Sequence, residues 1–384
     1  MWIAIQGCAH GELDAIYERL QQIERDLGKK VSLLVVCGDF QAVRNKNDLD
    51  SMACPPKYKR MGDFHKYYNG DRKPHVPTLF IGGNHEASHY MMELYHGGWV
   101  CQDIYFMGFS NVIWFNGIRI GGVSGIYNRH HYHSDYFETV PLDRTTVKSI
   151  YHTRKYEIDK LNIVRDKMDV FLSHDWPRGI FNHGNTQKLL ARKPFLTKDI
   201  SENRLGSPPL MELLKRLEPK FWFSAHMHVK FPAIVNHHNP TCSQSMIHEN
   251  DSRFESFVSD FTNMDESETT TRFLSLDKCV RGRSFLHILN MDESKQDQHG
   301  GFYYDKEWMA ITRTFYPSFT GRFGQSINTA LSKPIESSLE KNREWMDSNV
   351  ENYSIPANFS RQHSDNQIRD FCKLLGLDYN GGMD

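Results

Sequence analysis

Donor side chains gather in five short stretches of this chain: Cys8-Ala9-His10, Gly38-Asp39, Gly83-Asn84-His85-Glu86, Ser173-His174-Asp175 and Ala225-His226-Met227-His228. A thiol, carboxylates, an amide oxygen and imidazoles are the groups that hold divalent cations. Two cations about 3.5–4 Å apart can neutralise phosphoryl oxygens and supply a hydroxide for hydrolysis of a phosphodiester. Asp39 offers two carboxylate oxygens and so can bridge such a pair. In an extended segment residues two apart point the same way, so His226 and His228 would face one cluster. Each stretch alone has a plainer reading. Cys8 alone is a buried apolar thiol, and Asp39 after Gly38 is a turn residue. Asn84-His85 alone closes a strand, and His226 with His228 is a surface pair. All of these plain readings would have to hold independently.

The elements around these stretches explain their placement. Trp2–Gln6 reads as a buried strand, and Leu13, Ile16, Leu20, Ile23 and Leu27 then recur at helical spacing up to a C-cap at Gly28. Val31–Cys37 is a continuous apolar run, the pattern of a strand buried on both faces. Pro77–Ile81, Ile118–Val123, Met168–Leu172 and Phe221–Phe223 are further strands, each followed by a polar or donor-bearing stretch. Ser207 and Pro208 suit the start of a helix carrying Leu210, Leu213, Leu214 and Leu217, which ends before Pro219. The donors thus collect at the carboxyl ends of strands, where open α/β sheets place their sites. Beyond Phe231 the texture changes. Residues 236–270 are polar and read as a linker. Apolar runs at Phe273–Leu276, Phe285–Leu289 and Trp308–Phe315 suggest strands rejoining the sheet or packing beside it. Two helices follow, one starting near Pro334 with Leu339 and Trp345, the other after Ser364 with Ile368, Phe371, Cys372 and Leu375, stopped by Gly376.

Composition sets outer limits. A chain of 384 residues with net charge −1 can bury a large core and has no global basic field, so nucleic-acid binding must come from a local patch. Seven cysteines without a framework imply a reducing compartment. The chain opens directly into a strand, which leaves no room for a signal peptide. No apolar run reaches the roughly 18 residues of a membrane span. A soluble intracellular protein is expected.

The five stretches together resemble the ligand set of calcineurin-like metallophosphoesterases, and longer blocks narrow the resemblance. Gly38-Asp39-Phe40-Gln41-Ala42-Val43-Arg44-Asn45, Tyr67-Tyr68, Ile81-Gly82-Gly83-Asn84-His85-Glu86-Ala87 and Gly97-Gly98-Trp99-Val100 look like the RNA lariat debranching family. So do Ser149-Ile150-Tyr151-His152-Thr153-Arg154, Ser173-His174-Asp175-Trp176-Pro177-Arg178-Gly179-Ile180 and Trp222–Phe231, with a weaker continuation through Leu276-Asp277-Lys278-Cys279. Cys8, where most metallophosphoesterases carry aspartate, is a feature of that branch. The resemblance implies an α/β fold: a metallophosphoesterase β-sandwich flanked by helices, with a C-terminal extension domain. It divides the chain into a catalytic domain at 1–235, a polar linker at 236–270 and a debranching-type domain at 271–384.

For the site, the resemblance implies two divalent metal ions, Fe2+, Zn2+ or Mn2+. Cys8, His10, Asp39 and His228 would hold one, and Asn84, His174, His226 and the shared Asp39 the other. His85 would be the general acid, with Glu86 a candidate to orient it. The implied reaction is hydrolysis of the 2′–5′ phosphodiester at the branch of an excised intron lariat, giving linear RNA for turnover. Phosphorus would be attacked in line, opposite the branch 2′-oxygen, leaving a 5′-phosphate and a free 2′-hydroxyl. Branched RNA is therefore the expected partner of a monomer, and a nuclear location, with the cytoplasm as a second compartment, follows from that substrate.

Residues 124–156 are the expected lariat-recognition loop. They carry Tyr127, Tyr132, Tyr136, Tyr151 and Tyr156, four histidines, and Arg129, Arg144, Lys148, Arg154 and Lys155. Aromatics stack on unpaired bases while cations neutralise phosphates. With the resemblance, the expected substrate-binding residues are Tyr68, Tyr127, Asn128, Tyr151, His152 and Arg154. A solvated insertion is the plainer reading of this loop. Lys57, Tyr58 and Arg60 form a smaller candidate patch. The rival reading is another dinuclear metallophosphoesterase, a nuclease or a protein phosphatase. The phosphatase form is weakened because Asp39 is followed by Phe40-Gln41-Ala42-Val43-Arg44 and not by the pattern Asp-x-x-Asp-Arg-Gly. A non-enzymatic scaffold on the same fold would have an eroded ligand set, whereas here every ligand position holds a competent donor.

Overall fold

The computed structural model describes residues 1–237, 270–291, 300–317, 323–324, 335–357 and 364–379. Its strands in chain order are β1 (Trp2–Gln6), β2 (Val31–Val36), β3 (Thr78–Phe80), β4 (Gly98–Cys101), β5 (Ile104–Phe106), β6 (Ser110–Phe115) and β7 (Ile118–Val123). They continue as β8 (Val170–Ser173), β9 (Phe221–Ser224), β10 (Phe231–Asn236), β11 (Thr270–Ser275), β12 (Leu286–Asn290) and β13 (Phe302–Tyr304). One sheet has the order β12-β1-β2-β3-β5-β4 and the other β10-β11-β9-β8-β7-β6-β13. In each sheet the central strands are parallel and the outer pairs antiparallel.

Both faces of both sheets are covered, which is why the strands read as apolar runs without polar alternation. Ile3, Ile5, Leu33, Val35, Leu79 and Ile81 of the first sheet meet Ile120, Val170, Leu172, Phe223 and Leu274 of the second. The intervening residues point outward: Ala4, Leu34, Val36 and Phe80 pack under Leu13, Ile16 and Leu20 of the helix Leu13–Leu27. Phe171, Trp222 and Phe273 on the far side pack under Leu210, Leu213 and Leu214 of the helix Pro208–Leu217. Full burial of one such Leu or Ile is worth about 1.5–3 kcal/mol, so the side-chain period of two anchors each strand's register. The result is the expected β-sandwich flanked by helices.

The N-terminal elements form where the periodicity places them, and Gly28 caps its helix in the left-handed region at φ 63°. Ser207 occupies the N-cap position of the helix Pro208–Leu217, although its side chain makes no capping hydrogen bond. The C-terminal helices are Ile335–Asn349 and Ser364–Leu374. One expectation fails: Trp308–Phe315 belongs to a helix, Lys306–Phe315, and is not a strand. The Asp305 side chain accepts from Trp308 N at 2.8 Å and starts the helix. Trp308, Met309, Ile311 and Phe315 are then buried against the helix-covered face of the second sheet. The expected polar linker lies, from residue 238 to 269, outside the described residues.

Residues after 270 complete both sheets. β11 lies between β10 and β9, and β12 pairs with β1, Ile5 opposite His287. β13 extends the second sheet at β6. Buried Arg119 of β7 ties this part down through Asp305 at 2.8 Å and Glu307 at 3.1 Å. β11 inside the second sheet and β12 and β13 at sheet edges therefore share one frame with the donor stretches.

Candidate metal centre

The donors meet at the strand ends of the two sheets. Cys8 and His10 follow β1, Asp39 follows β2, Asn84 follows β3, His174 follows β8, and His226 and His228 follow β9. His10, Asp39, His226 and His228 all have positive φ, between 48° and 60°. That backbone region is uncommon for non-glycine residues and is entered mostly by Asn, Asp and His. The turns thus swing these side chains inward directly after their strands. The extended geometry expected for His226-Met227-His228 is not what forms. Met227 N donates to Ala225 O at 2.6 Å, making a tight turn. The two imidazoles consequently diverge, with His226 against His174 at a ring separation of 5.0 Å and His228 against His10 at 5.1 Å.

Asp39 stands at the middle, 1% exposed. Its Oδ2 lies 3.8 Å from His10 Nε2, and its Oδ1 lies 3.4 Å from His174 Nε2. Oδ1 also accepts from His85 N at 2.9 Å. On the Oδ2 side, donor atoms of Cys8, His10, Asp39 and His228 all lie within 4.8 Å of one another. On the Oδ1 side, Asn84 Oδ1 is 3.3 Å from His174 Nε2. Room for this approach depends on two glycines. A Cβ on Gly38 would sit 2.3 Å from His174 Nδ1, and one on Gly83 would sit 2.2 Å from Asp39 Oδ1.

Buried partners aim the donors. His174 Nδ1 bonds Cys37 O at 2.7 Å, turning Nε2 toward Asp39 and Asn84. Gln41 Nε2 is 3.2 Å from His10 Nδ1, turning that ring's Nε2 inward. Gln41 was not singled out by sequence as a site residue; the available signal was its place in the block after Gly38-Asp39. Glu86 does not orient His85. Its two carboxylate oxygens accept Phe40 N at 2.8 Å, Gln41 N at 2.8 Å and Gly83 N at 2.9 Å, so it clamps the Asp39 turn to the Asn84 turn. His85 Nε2 lies 3.0 Å from Asn84 Nδ2, and its buried Nδ1 has no hydrogen-bond partner.

The electrostatics suit cation binding. Burial pushes His10 down to about 4 and His228 down to about 3, so both imidazoles are neutral donors near pH 7. Burial opposes ionisation of Asp39, but His174, His10 and His85 outweigh it and hold the carboxyl well below its usual range. Burial, then the Asp39 charge, raise the Cys8 thiol well above its ordinary value, so its proton would be lost to solvent only when a bound cation takes the sulfur as ligand. A buried anion, a thiol and neutral imidazoles converging on one point fit a divalent metal.

The expected substrate residues divide. Tyr151 and His152 line a cavity between residues 124–156 and the Gly82–Gly83 turn, together with Glu86, Met91, Phe109 and Ser124. His152 is nonetheless buried, its Nδ1 2.7 Å from His131 Nδ1. Tyr127 is half-buried, its N donating to Asp175 Oδ2 at 3.2 Å and its ring 5.7 Å from the Arg178 guanidinium. Asn128 accepts His130 N at 2.9 Å in a local turn. Tyr68 packs between Phe64 and Tyr90, each at 6.2 Å between centroids, away from the cavity. Arg154 has to be corrected. It is fully buried, pairs with Glu138 at 2.5 Å and donates to the carbonyls of Ser149 and His152. Its guanidinium presents no accessible face to a phosphate. Tyr136 and Tyr156 are likewise buried, bonded to Glu157 and to Phe315 O. Arg129, Arg144, Lys148 and Lys155 are the exposed cations of the loop, Lys155 being paired with Asp159 at 2.6 Å.

Known families agree with this geometry. Residues 1–230 match the family described as calcineurin-like phosphoesterase, and residues 268–380 match the lariat debranching enzyme C-terminal domain. A lariat debranching enzyme of Arabidopsis thaliana is 43% identical over 366 residues, which cover 94% of this chain and 78% of that one. Lariat debranching enzyme A of Xenopus laevis is 43% identical over 401 residues, covering 98% and 70%. The Homo sapiens lariat debranching enzyme is 46% identical over 315 residues, covering 82% of this chain and 53% of its own length. With its fold, its donor set and similarity over nearly its whole length, this chain belongs to the lariat debranching enzyme family of the calcineurin-like phosphoesterases.

Proposed function

We propose that this protein hydrolyses the 2′–5′ phosphodiester at the branch of lariat RNA, with a nuclear location following from that substrate. The observation that carries the reading is the convergence of Cys8, His10, Asp39 and His228 within 4.8 Å at strand ends of a chain of this family. Cys8, His10, Asp39 and His228 would hold one divalent cation, and Asp39, Asn84, His174 and His226 a second. Bound there, the pair supplies charge neutralisation at the phosphoryl oxygens and a lowered pKa for the attacking water. The thiolate and imidazoles of the first set favour zinc or ferrous iron; the oxygen-richer second set accepts iron or manganese.

The chain's own groups perform the rest. Asp39 offers one oxygen to each side, because Oδ1 faces His174 and Oδ2 faces His10. Glu86 keeps the two ligand-bearing turns at fixed separation. His85 borders the same pocket, its ring 5.9 Å from that of His10. As general acid it gives its proton to the leaving 2′-oxygen while the P–O2′ bond breaks and water oxygen joins phosphorus. The products are a 5′-phosphate and a 2′-hydroxyl. Three exposed cations of the loop that no ion pair among the described residues engages, Arg129, Arg144 and Lys148, take the phosphates that Arg154 cannot reach. The test is product analysis on a synthetic branched RNA and its linear 3′–5′ counterpart, with zinc, iron or manganese added singly. Cleavage confined to the 2′–5′ bond supports the reading. Equal cleavage of the linear strand, or release of phosphate from a phosphopeptide, would replace it with the general nuclease or phosphatase reading.

A further inference from the structure

Three arginines drawn into this fold are neutralised by carboxylates. Arg44 pairs with Asp48 and Glu93, Arg119 with Asp305 and Glu307, and Arg154 with Glu138. Arg178 differs. It is half-buried, yet no carboxylate among the described residues pairs with it. Its Nε donates to Gly206 O at 3.2 Å, and neither Nη1 nor Nη2 has a hydrogen-bond partner among the described residues. The guanidinium carbon lies over the Tyr127 ring, 5.7 Å from its centroid. The residue itself is held on both sides. Arg178 N donates to Ser207 O at 2.9 Å and Ser207 N to Trp176 O at 2.8 Å. A Cβ on Gly206 would come within 2.4 Å of Trp176 O and 3.2 Å of Arg178 N, so the two segments leave no slack. A fork fixed at Nε, backed by a ring and with two nitrogens unused, is pre-organised for two oxygens of one anion.

Printed contacts put this fork on the flank of Asn84, His174 and His226. Residues 124–127 bridge the turns that carry Asn84 and His174. At one end Gly82 N donates to Ser124 Oγ at 2.8 Å and Gly125 N to Gly82 O at 2.9 Å. At the other end Tyr127 N donates to Asp175 Oδ2 at 3.2 Å. Asp175 directly follows His174, and its Oδ1 accepts Trp176 N at 2.8 Å. Trp176 Nε1 in turn donates at 2.9 Å to the carbonyl of Ala225, the residue before His226. Arg178 therefore sits in the same short segment as His174. That segment is tied to the His226 turn through Trp176 and to the Asn84 turn through residues 124–127. Asp175 and Tyr127 stand between His174 and the guanidinium in this chain of contacts. The anion suited to the fork is thus a neighbour of the phosphate that is cut. Three phosphodiesters meet at the ribose of a branch nucleotide, so two remain beside the centre when the third occupies it.

We propose that Arg178 binds one of the two uncut phosphodiesters of the branch nucleotide, its Nη groups donating to the non-bridging oxygens while the Tyr127 ring backs the fork. Arg178 is then a specificity-determining residue. A linear chain offers one uncut phosphodiester on the ribose at the cut, and a branch offers two. A cation placed for the additional one favours the branched substrate. This proposal rests on branched RNA being the substrate.

The experiment uses the full chain with one metal at fixed concentration. Branched RNAs carry a single methylphosphonate, in which methyl replaces a charged oxygen, at either uncut phosphodiester of the branch nucleotide or farther along an arm. For wild type, Arg178→Ala and Arg178→Lys, kcat and KM are measured on each of these RNAs and on the unmodified one. Neutralising one of the two branch phosphodiesters should lower the wild-type kcat/KM about 10–100-fold, the range for a hydrogen bond to a charged group. Arg178→Ala should lose as much on the unmodified RNA, mainly through KM, and lose little more when that same phosphodiester is neutralised. Arg178→Lys keeps the charge without the fork and should fall between the two. An arginine that only packs would cost the same factor on every RNA. That result, full activity of Arg178→Ala on the unmodified RNA, or coupling only to a phosphate farther along an arm, would overturn the assignment. Wild-type rates on the unmodified RNA report separately on the substrate: no cleavage there removes the reading of function, and the role of Arg178 with it.

Discussion

The Arg154 guanidinium and the Glu138 carboxylate meet at 2.5 Å with neither side chain exposed to solvent. The pair closes residues 124–156 from within, because Ser149 Oγ also donates to Glu138 at 2.5 Å and Arg154 donates to Ser149 O at 3.2 Å. Arg154→Ala leaves a buried carboxylate unpaired and should cost about 3–5 kcal/mol of stability in urea unfolding. Replacing both partners, Arg154→Met with Glu138→Leu, should recover most of that loss. A selective loss of RNA affinity at unchanged stability would return Arg154 to the substrate surface.

Glu86→Gln keeps size and one carbonyl oxygen but turns an NH2 group toward a backbone N–H. Phe40, Gln41 and Gly83 then compete for one acceptor, and a buried donor is left unmet at about 1–3 kcal/mol. Because the clamp holds the Asp39 and Asn84 turns together, metal affinity should fall about 10–100-fold. Titration of the apo protein with zinc measures this. Unchanged affinity with an altered pH–rate profile would instead make Glu86 a partner of His85.

His85→Ala should leave metal content intact, since His85 touches Asp39 only through its backbone N–H. Turnover of branched RNA should fall by about 10²–10⁴, the usual share of a positioned acid. Elemental analysis beside single-turnover rates separates the roles. Loss of metal would identify His85 as a ligand.

Cys8 is the soft donor of the centre. Cys8→Asp should shift its site from zinc or iron toward manganese, and Cys8→Ala should empty that site selectively. Anomalous scattering at the metal edges of wild type and both variants reads occupancy site by site. The same metals at the same occupancies in all three proteins would make Cys8 a packed thiol beside the centre.

His152 carries a pH dependence of stability. Burial, then the charges of His131 and Arg154, push it down to about 3. Below its unfolded value near 6.5 the unfolded chain binds a proton that the folded chain refuses until about pH 3. Stability therefore falls as pH drops through that window, by up to about 1.4 kcal/mol per unit for this one group. His152→Gln should remove one proton's share of the slope of unfolding free energy between about pH 4 and 6. Identical slopes in the two proteins would show His152 to be protonated in the fold.

The sequence by itself determined the strands that carry the donors, the donors at their ends and the family. Apolar runs with a donor after each are local features, and a strand buried on both faces leaves its chemistry only at its ends. Tertiary structure decided what lies at a distance in the chain. Arg154 looked like a free cation because Glu138, its buried partner, carries no local mark of burial. Trp308–Phe315 looked like a strand because an apolar run of that length fits either element. The Asp305 cap and the face it meets made it a helix. Glu86 stands next to His85 in sequence but serves the turns of Asp39 and Gly83 in space. His226 and His228 project from a turn of left-handed backbone and not from a strand, His228 toward Asp39 and His226 toward His174. Spacing names the donors. The direction of each side chain depends on partners that only the packed sheets supply.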